Sequence, residues 1–246
     1  MLISMSKTRS SQYTNHRLKS VFLALAIALV GALSAAVQDW RSNEAPPQTL
    51  GVVTQQQVAS SQEALVALES LQVKGRAPKT GYDRDLFSNG WGSVVGCSVR
   101  ELILQRDLTN TVINEDGCRV MTGTLQDPYS TTTIAFVRGA QTSQAVQIDH
   151  VVAVSDAWQK GAQQLTPELR YQFYNDPLNL LAVDGPTNNK KGDGDAATWL
   201  PPNKEYRCRY VARQVAVKVK YSLWMTAAEK SASQSVLVTC KNQEMQ

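Results

Sequence analysis

His150 directly follows Asp149, and these two side chains are the residues of the chain best suited to chemistry. The chain has only two histidines, and the other one lies at position 16. One histidine cannot build a zinc site that needs several, but one imidazole can transfer a proton and one carboxylate can bind a metal ion. The pair therefore supplies the minimum set of groups for metal-assisted hydrolysis of a phosphodiester bond.

The elements predicted around this pair would position it and bring further polar side chains towards it. Alternation and short apolar runs predict strands, and a proline at the first helical position predicts where one helix begins. The predicted order is a strand at 145–148 that ends at Asp149-His150, helices at 155–164 and 166–175, a short buried strand at 179–183, and a turn at 186–195 that opens a helix.

Other segments have weaker or ambiguous patterns. A helix is predicted over 99–108, and two strands over 118–125 and 132–137 with a turn at 127–130 between them. Residues 207–224 alternate like a strand, yet they also place valines on one face at helical spacing. We favour the helix. Together these elements predict an α+β domain.

Several motifs in this order resemble the exported HNH-family endonucleases of bacteria, over the whole stretch from Lys74 to Trp224. An Asp-His dipeptide alone has little specificity, whereas the complete ordered set is specific. The matching segments are KGRAPKTGY at 74–82, Gly96-Cys97 with Arg100, RDL at 106–108, DPY at 127–129, VQIDHVVAVSDAWQKGA at 146–162, NLL at 179–181, and NNKKGDGDAATWLPP at 188–202.

The resemblance implies a ββα-metal finger within this domain, flanked by helices and an antiparallel hairpin, and it implies a role for each motif residue. Asp149 would bind a single divalent cation, Mg²⁺ or Mn²⁺, and His150 would be the general base that takes a proton from the attacking water. Asn188 would supply a second oxygen ligand, because the family spacing resembles Asn-x-x-Lys-Gly-Asp. Asn179 would brace the loop that orients His150.

Basic side chains near the proposed site are candidates for contacting substrate phosphates. Lys190 and Lys191 follow Asn188, and Arg209, Arg213 and Lys220 would share one face of a helix over 207–224. The alternative is that both groups are ordinary solvated surface. The loop at 74–82 holds three further basic residues, and phosphate contact and solvation are equally plausible for it.

The four cysteines predict disulfides rather than a metal site. Their number is even, no pair has CxxC spacing, and all lie beyond the N-terminal segment. Three connectivities are open. We favour the sequential one because each pair then closes a local segment, namely Cys97 with Cys118 and Cys208 with Cys240.

The N-terminus has the features of an export signal. A basic segment precedes the uncharged residues 21–36, and small residues at 34–36 suit signal-peptidase cleavage; an uncleaved membrane anchor is the alternative. Residues 37–72 are predicted to be a polar tether with a short helix near its end, and 73–246 to be the nuclease domain. The domain is thus expected outside the cytoplasm, with any membrane contact limited to 21–36.

The charge distribution bears on the substrate. Residues 1–36 hold four of the 25 Lys and Arg and no acid, so the rest of the chain has 21 residues of each sign. A neutral body without an added DNA-binding module favours low sequence specificity. We expect a nucleic-acid substrate, with DNA favoured over RNA, and the sequence indicates no protein partner. The alternative is a non-catalytic, disulfide-bonded surface or nucleic-acid-binding module that retains the fold.

Overall fold

Helices and antiparallel strands are mixed along the chain, as the α+β prediction requires. The computed structural model describes residues 61–140 and 142–240, so the predicted signal or anchor and most of the predicted tether lie outside the described residues. The α-helices are α1 (Ser61–Ser70), α2 (Val99–Asp107), α3 (Val154–Gln159), α4 (Pro167–Asn175), α5 (Gly185–Lys191), α6 (Arg207–Lys220) and α7 (Ala227–Leu237). The strands are β1 (Ser93–Val94), β2 (Cys97–Ser98), β3 (Thr109–Ile113), β4 (Val120–Gln126), β5 (Thr133–Val137), β6 (Val146–His150) and β7 (Leu180–Asp184).

Strands β6 and β7 and helix α5 form a ββα unit in the predicted order. The two strands pair antiparallel, with Val146 opposite Asp184 and His150 opposite Leu180. Helix α5 begins directly after β7, because the Asp184 side chain accepts a hydrogen bond from the backbone N–H of Thr187 at 2.8 Å and a proline stands in the first turn. Because α5 follows β7 directly and packs on β6, residues 188–191 lie beside β6.

The β6–β7 pair is buried on both faces. Leu180 and Ala182 of β7 pack into a core shared with α2 and the three-stranded sheet β3-β4-β5. Leu181 and Val183 face the opposite way, into a core shared with α1 and α6. Since successive strand residues point to opposite faces, a run of four apolar residues is what a strand between two cores needs.

Helices α1 and α6 pack together in the second of these cores. Leu68 of α1 and Val211 and Val215 of α6 are fully buried there. The helical interpretation of residues 207–224 is confirmed over Arg207–Lys220. Helix α1, which the sequence placed in the tether, packs into the same core as α6 and β7.

A cluster of buried charges, equal in number for each sign, connects α3, α6 and α7 with residues that precede α2 and follow α5. Lys160 lies 2.7 Å from Asp156, 2.7 Å from Asp195 and 2.6 Å from Glu229, and burial alone would lower its pKa, but the neighbouring carboxylates raise it. Buried charges are tolerated only when they are paired in this way. The buried charge cluster consists of three cations and three carboxylates: Arg76, Lys160, Lys218, Asp156, Asp195 and Glu229.

The two disulfides have the sequential connectivity. Cys97 at the start of β2 pairs with Cys118 before β4, and Cys208 in the first turn of α6 pairs with Cys240 beyond α7. No free cysteine occurs in the described part of the chain. The second bridge therefore fixes α7 against α6 in the core that also holds α1.

Replacing Cys208 and Cys240 together with serine should lower the free energy of unfolding by about 4 kcal/mol. The bridge spans 32 residues, and closing a loop of that length restricts the unfolded chain. Urea unfolding of the oxidised proteins measures the difference. The Cys97/Cys118 double serine variant is the matched comparison and should lose about 3 kcal/mol, because its loop is shorter. A loss below about 1 kcal/mol in both variants would contradict this explanation.

Candidate active site

Asp149 and His150 lie on opposite faces of β6, as neighbours in a strand must. Asp149 points towards α5, where its carboxylate contacts Lys191. His150 points towards the segment before β1 and the end of α4, where it contacts Trp91 and Tyr174. The two chemical groups therefore have separate environments, which we describe in turn.

His150 is held in an aromatic pocket. Its ring stacks on the Trp91 ring with centroids 5.7 Å apart and an angle of 6° between planes, and the Tyr174 ring lies 4.4 Å away. Only 4% of the residue is exposed. The imidazole thus has one orientation, set by packing and by the hydrogen bond described next.

A backbone carbonyl determines which nitrogen of His150 holds the proton. Nε2 lies 2.8 Å from the carbonyl oxygen of Tyr174. A carbonyl oxygen can only accept, so Nε2 must donate and, in the neutral ring, Nδ1 carries the lone pair and acts as an acceptor. Nδ1 in turn lies 3.5 Å from a guanidinium nitrogen of the exposed Arg84. Nδ1, the nitrogen that can accept a proton, therefore faces Arg84, which is exposed at the surface.

The surroundings of His150 keep its imidazole neutral. Burial, and then the positive charge of Arg84, lower its pKa to about 3; the Tyr174 hydrogen bond acts in the opposite direction, and Lys191 adds to the lowering. A neutral imidazole with an unprotonated Nδ1 is the form that can accept a proton. A lowered pKa also means that Nδ1 is a weaker base than an ordinary imidazole nitrogen.

The Asp149 carboxylate is buried and has a partner on each oxygen. Oδ1 accepts a hydrogen bond from the Lys191 ammonium at 2.8 Å, and Oδ2 accepts one from the Tyr129 hydroxyl at 2.6 Å. Burial, together with the charge of Asp149, raises the pKa of Tyr129 well above its ordinary value, so this hydroxyl stays protonated and donates. Lys191 also donates to the backbone carbonyl of His150 at 2.9 Å.

In this arrangement the carboxylate predicted to bind a metal ion already has a cation beside it. That cation is the ammonium of Lys191, whereas the Asn188 amide nitrogen donates to Gln147 Oε1 at 2.9 Å and its carbonyl oxygen is not used in that contact. Within 61–140 and 142–240, no group of three or more His, Cys, Asp and Glu could hold a metal ion. The assignment of Asp149 and Asn188 as ligands stays a prediction, and it requires Lys191 to leave Asp149.

Asn179 makes the contacts that a brace for the segment after His150 would make. It is fully buried, its Oδ1 accepts a hydrogen bond from the backbone N–H of Val152 at 2.8 Å, and its Nδ2 donates to the Val152 carbonyl at 3.3 Å. The Asn179 carbonyl also accepts from Val151 N–H. The two residues that follow His150 are thereby fixed, and the role in orienting His150 stays a proposal.

The lysines of α5 differ from each other in exposure. Lys190 is exposed, and it forms no ion pair or hydrogen bond with any residue that the structure describes. The Lys191 side chain is fully buried against Asp149, so it is not the solvent-facing phosphate contact that the sequence predicted. Lys191 is buried because β6 directs Asp149 into the domain beneath α5. A buried carboxylate without a cation beside it would destabilise the fold.

The basic residues of α6 are largely engaged within the protein. Arg213 donates to the backbone carbonyls of Pro177, Leu178 and Leu180, and Lys220 pairs with Asp176 at 2.7 Å. These contacts stabilise the turn that leads into β7. The predicted phosphate contact by Arg209, Arg213 and Lys220 stays a prediction, and the clustering of these charges already has a structural explanation.

The sequence analysis missed three residues around His150, namely Arg84, Trp91 and Tyr174. Arg84 lies in a short 3-10 helix at Arg84–Leu86, and its guanidinium also packs over the Tyr174 ring at 5.1 Å. These residues are separated from His150 by 24 to 66 positions. No local spacing connects them, so the only available signal was the nearby basic loop at 74–82.

Among the described residues, the ββα unit, one buried histidine and two disulfides belong to a domain of the α+β class. Residues 99–232, more than half of the chain, match the family model "GmrSD restriction endonucleases, C-terminal domain", and the chain belongs to this family. It is also 38% identical over 194 residues to an "Uncharacterized secreted protein" of Arthroderma benhamiae, covering 77% of this chain and 90% of that protein. No solved structure was found to match.

The length and hydropathy of the described helices were compared with those of membrane-spanning helices. Within the described residues, none is both long and apolar enough to cross a membrane. The two disulfides fit an extracellular location.

Proposed function

We propose that this chain is an exported endonuclease that hydrolyses nucleic-acid phosphodiester bonds with His150 as its general base. The observation that carries the proposal is the hydrogen bond between His150 Nε2 and the Tyr174 carbonyl, because it leaves Nδ1 as the proton acceptor. Family membership supports the endonuclease class. The relative described as secreted and the disulfides support export.

The proposed reaction uses His150 and Arg84 in sequence. Nδ1 of His150 takes a proton from a water molecule as its oxygen attacks phosphorus, the phosphorus–oxygen bond to the leaving group breaks, and the leaving oxygen takes a proton from solvent. The Arg84 guanidinium, 3.5 Å from Nδ1, would bind the phosphate oxygens on which negative charge develops. Arg84 is suited to this because it is exposed and its planar fork matches a phosphate.

A divalent cation, Mg²⁺ or Mn²⁺, is part of the proposal, and so is low sequence specificity with DNA favoured over RNA. Purified protein should nick plasmid DNA when either cation is present and stop when a chelator is added. The same assay on single-stranded DNA and on RNA ranks the substrates. Absence of cleavage with every substrate and cation would remove the enzyme proposal.

A second candidate function is a non-catalytic nucleic-acid-binding module. The observation that favours it is the pairing of Asp149 with Lys191 and Tyr129, which places a hydrogen-bond donor on each carboxylate oxygen. Such a module would bind DNA in the presence of Mg²⁺ without cutting it. Binding and nicking measured on the same plasmid separate the two candidates.

Replacing Arg84 with alanine should lower the cleavage rate about 10²-fold or more, because one group that stabilises transition-state charge is removed. The measurement is single-turnover nicking at saturating protein. Arg119→Ala is the matched control, since Arg119 is an exposed arginine in the hairpin between β3 and β4. Equal rates for the two variants would show that Arg84 does not contact the reacting phosphate.

A further inference from the structure

A cavity of about 520 Å³ lies on the Asp149 side of β6, apart from the His150 pocket. It is formed by the loop at 76–79, the end of α3, the end of α5 and the segment that follows α5. The lining residues are Arg76, Lys79, Gln159, Lys190, Lys191, Asp193, Gly194, Thr198 and Trp199. Its volume is in the range of small-molecule sites.

The lining is rich in positive charge. Lys190 has no internal partner among the described residues, and Lys79 is half-exposed with Asp193 3.7 Å away, a distance at the limit of an ion pair. Arg76 is 34% exposed although it also belongs to the buried charge cluster. The Lys191 ammonium is committed to Asp149, so the charges available to a ligand are those of Lys79 and Lys190, with Arg76 behind them.

An aromatic ring closes the cavity towards β6. Trp199 is half-buried, and its ring is held by Tyr129 at 5.2 Å and Tyr210 at 5.6 Å between centroids. Tyr129 is the residue that donates to Asp149. A fixed indole beside two solvent-accessible ammonium groups can bind a nucleotide, because the ring stacks on a base while the cations contact phosphate.

We propose that this cavity is a substrate subsite that holds one backbone phosphate and its nucleotide, with Lys79 and Lys190 on the phosphate and Trp199 against the base or sugar. The segment from Arg76 to Arg84 links it to the other pocket, because its first part lines the cavity and its last residue lies beside His150. A strand held in the cavity would thus continue towards His150. This inference rests on the proposed function and names where its substrate is held.

The test is duplex binding by the full chain without cleavage. A labelled DNA duplex is titrated in chelator across a salt series with wild type, with Lys79→Ala/Lys190→Ala, and with Arg119→Ala/Lys204→Ala. The control pair removes the same charge from exposed positions that do not line the cavity. We expect the cavity variant to bind more weakly and its log–log salt slope to flatten by about 0.9, that is, by one phosphate contact, with the control nearly unchanged.

Other results overturn the inference. An equal change in slope for both double variants would mean a general charge effect, and an unchanged slope in the cavity variant would mean no phosphate contact. Inorganic phosphate at matched ionic strength should not displace the duplex; displacement would mean a site for a free anion. Binding without nicking in Mg²⁺ or Mn²⁺ removes the proposed function alone, whereas nicking with no cavity effect removes this inference alone.

Discussion

Replacing His150 with alanine should reduce plasmid cleavage by about 10²- to 10⁴-fold, the usual contribution of a positioned base. The described residues contain no second histidine that could substitute for it. Its Nδ1 is the ring nitrogen that the Tyr174 carbonyl leaves free to accept a proton. Single-turnover nicking at saturating protein measures the chemical step without the contribution of binding.

The control for this variant must separate lost chemistry from lost packing, because His150 stacks between Trp91 and Tyr174. Thermal unfolding and duplex affinity should therefore be compared with wild type in the same preparation. Added imidazole should restore part of the rate if the alanine variant only lacks the base. A variant that nicks at the wild-type rate would exclude His150 as the base.

Replacing Lys160 with methionine should lower the free energy of unfolding by about 3–5 kcal/mol at neutral pH. The change keeps most of the side-chain volume but leaves three buried carboxylates with two cations, and breaking a buried pair has that typical cost. Urea unfolding followed by far-ultraviolet circular dichroism gives the difference. A loss below about 1 kcal/mol would show that the cluster is hydrated or rearranges.

The matched control for this prediction is Lys220→Met. Lys220 also pairs with a buried aspartate, Asp176, but its side chain is 48% exposed. A pair open to solvent contributes about 0–1 kcal/mol, so the control should be close to wild type. The two variants remove the same charge and differ in burial, which is the property under test.

The buried charge cluster should also make the domain sensitive to acid. Burial alone would raise the pKa of Asp195, but the hydrogen bond and charge of Lys160 outweigh it, and the pKa lies below its ordinary value. A carboxyl group whose folded pKa is lowered stabilises the fold above its unfolded pKa, and this contribution is lost as pH falls through the folded pKa.

The ββα unit could be predicted from the sequence because its signals are local. An apolar run before Asp149 and a second run after Asn179 each specify one strand, and the pairing of β6 with β7 confirmed their order. The segment 186–195 was predicted as a turn that opens a helix, whereas α5 already begins at Gly185. Strand β3 was missed, since four of its five residues are exposed and give no alternation. Helix α7 was missed as well.

The contacts around the site could not be predicted, because they join residues far apart in the chain. Lys191 and Asp149 are 42 positions apart, and Arg84 and His150 are 66 apart. A lysine next to Asn188 has the same local pattern whether it faces water or a buried carboxylate. The sequence therefore identified Asp149 and His150 as chemical groups but did not show that Asp149 already has a cation beside it.

The two-sided burial of β7 means that hydrophobicity alone does not fix how β6 aligns with it. Four successive apolar residues, Leu180 to Val183, suit either face, so a shift of one residue would keep β7 buried while exchanging the faces of Asp149 and His150. The polar contacts of Asp149 and Asn179 oppose that shift. Substituting either residue can thus produce a mispaired strand, so loss of activity in such a variant is evidence about chemistry only when the alignment of β6 has been verified.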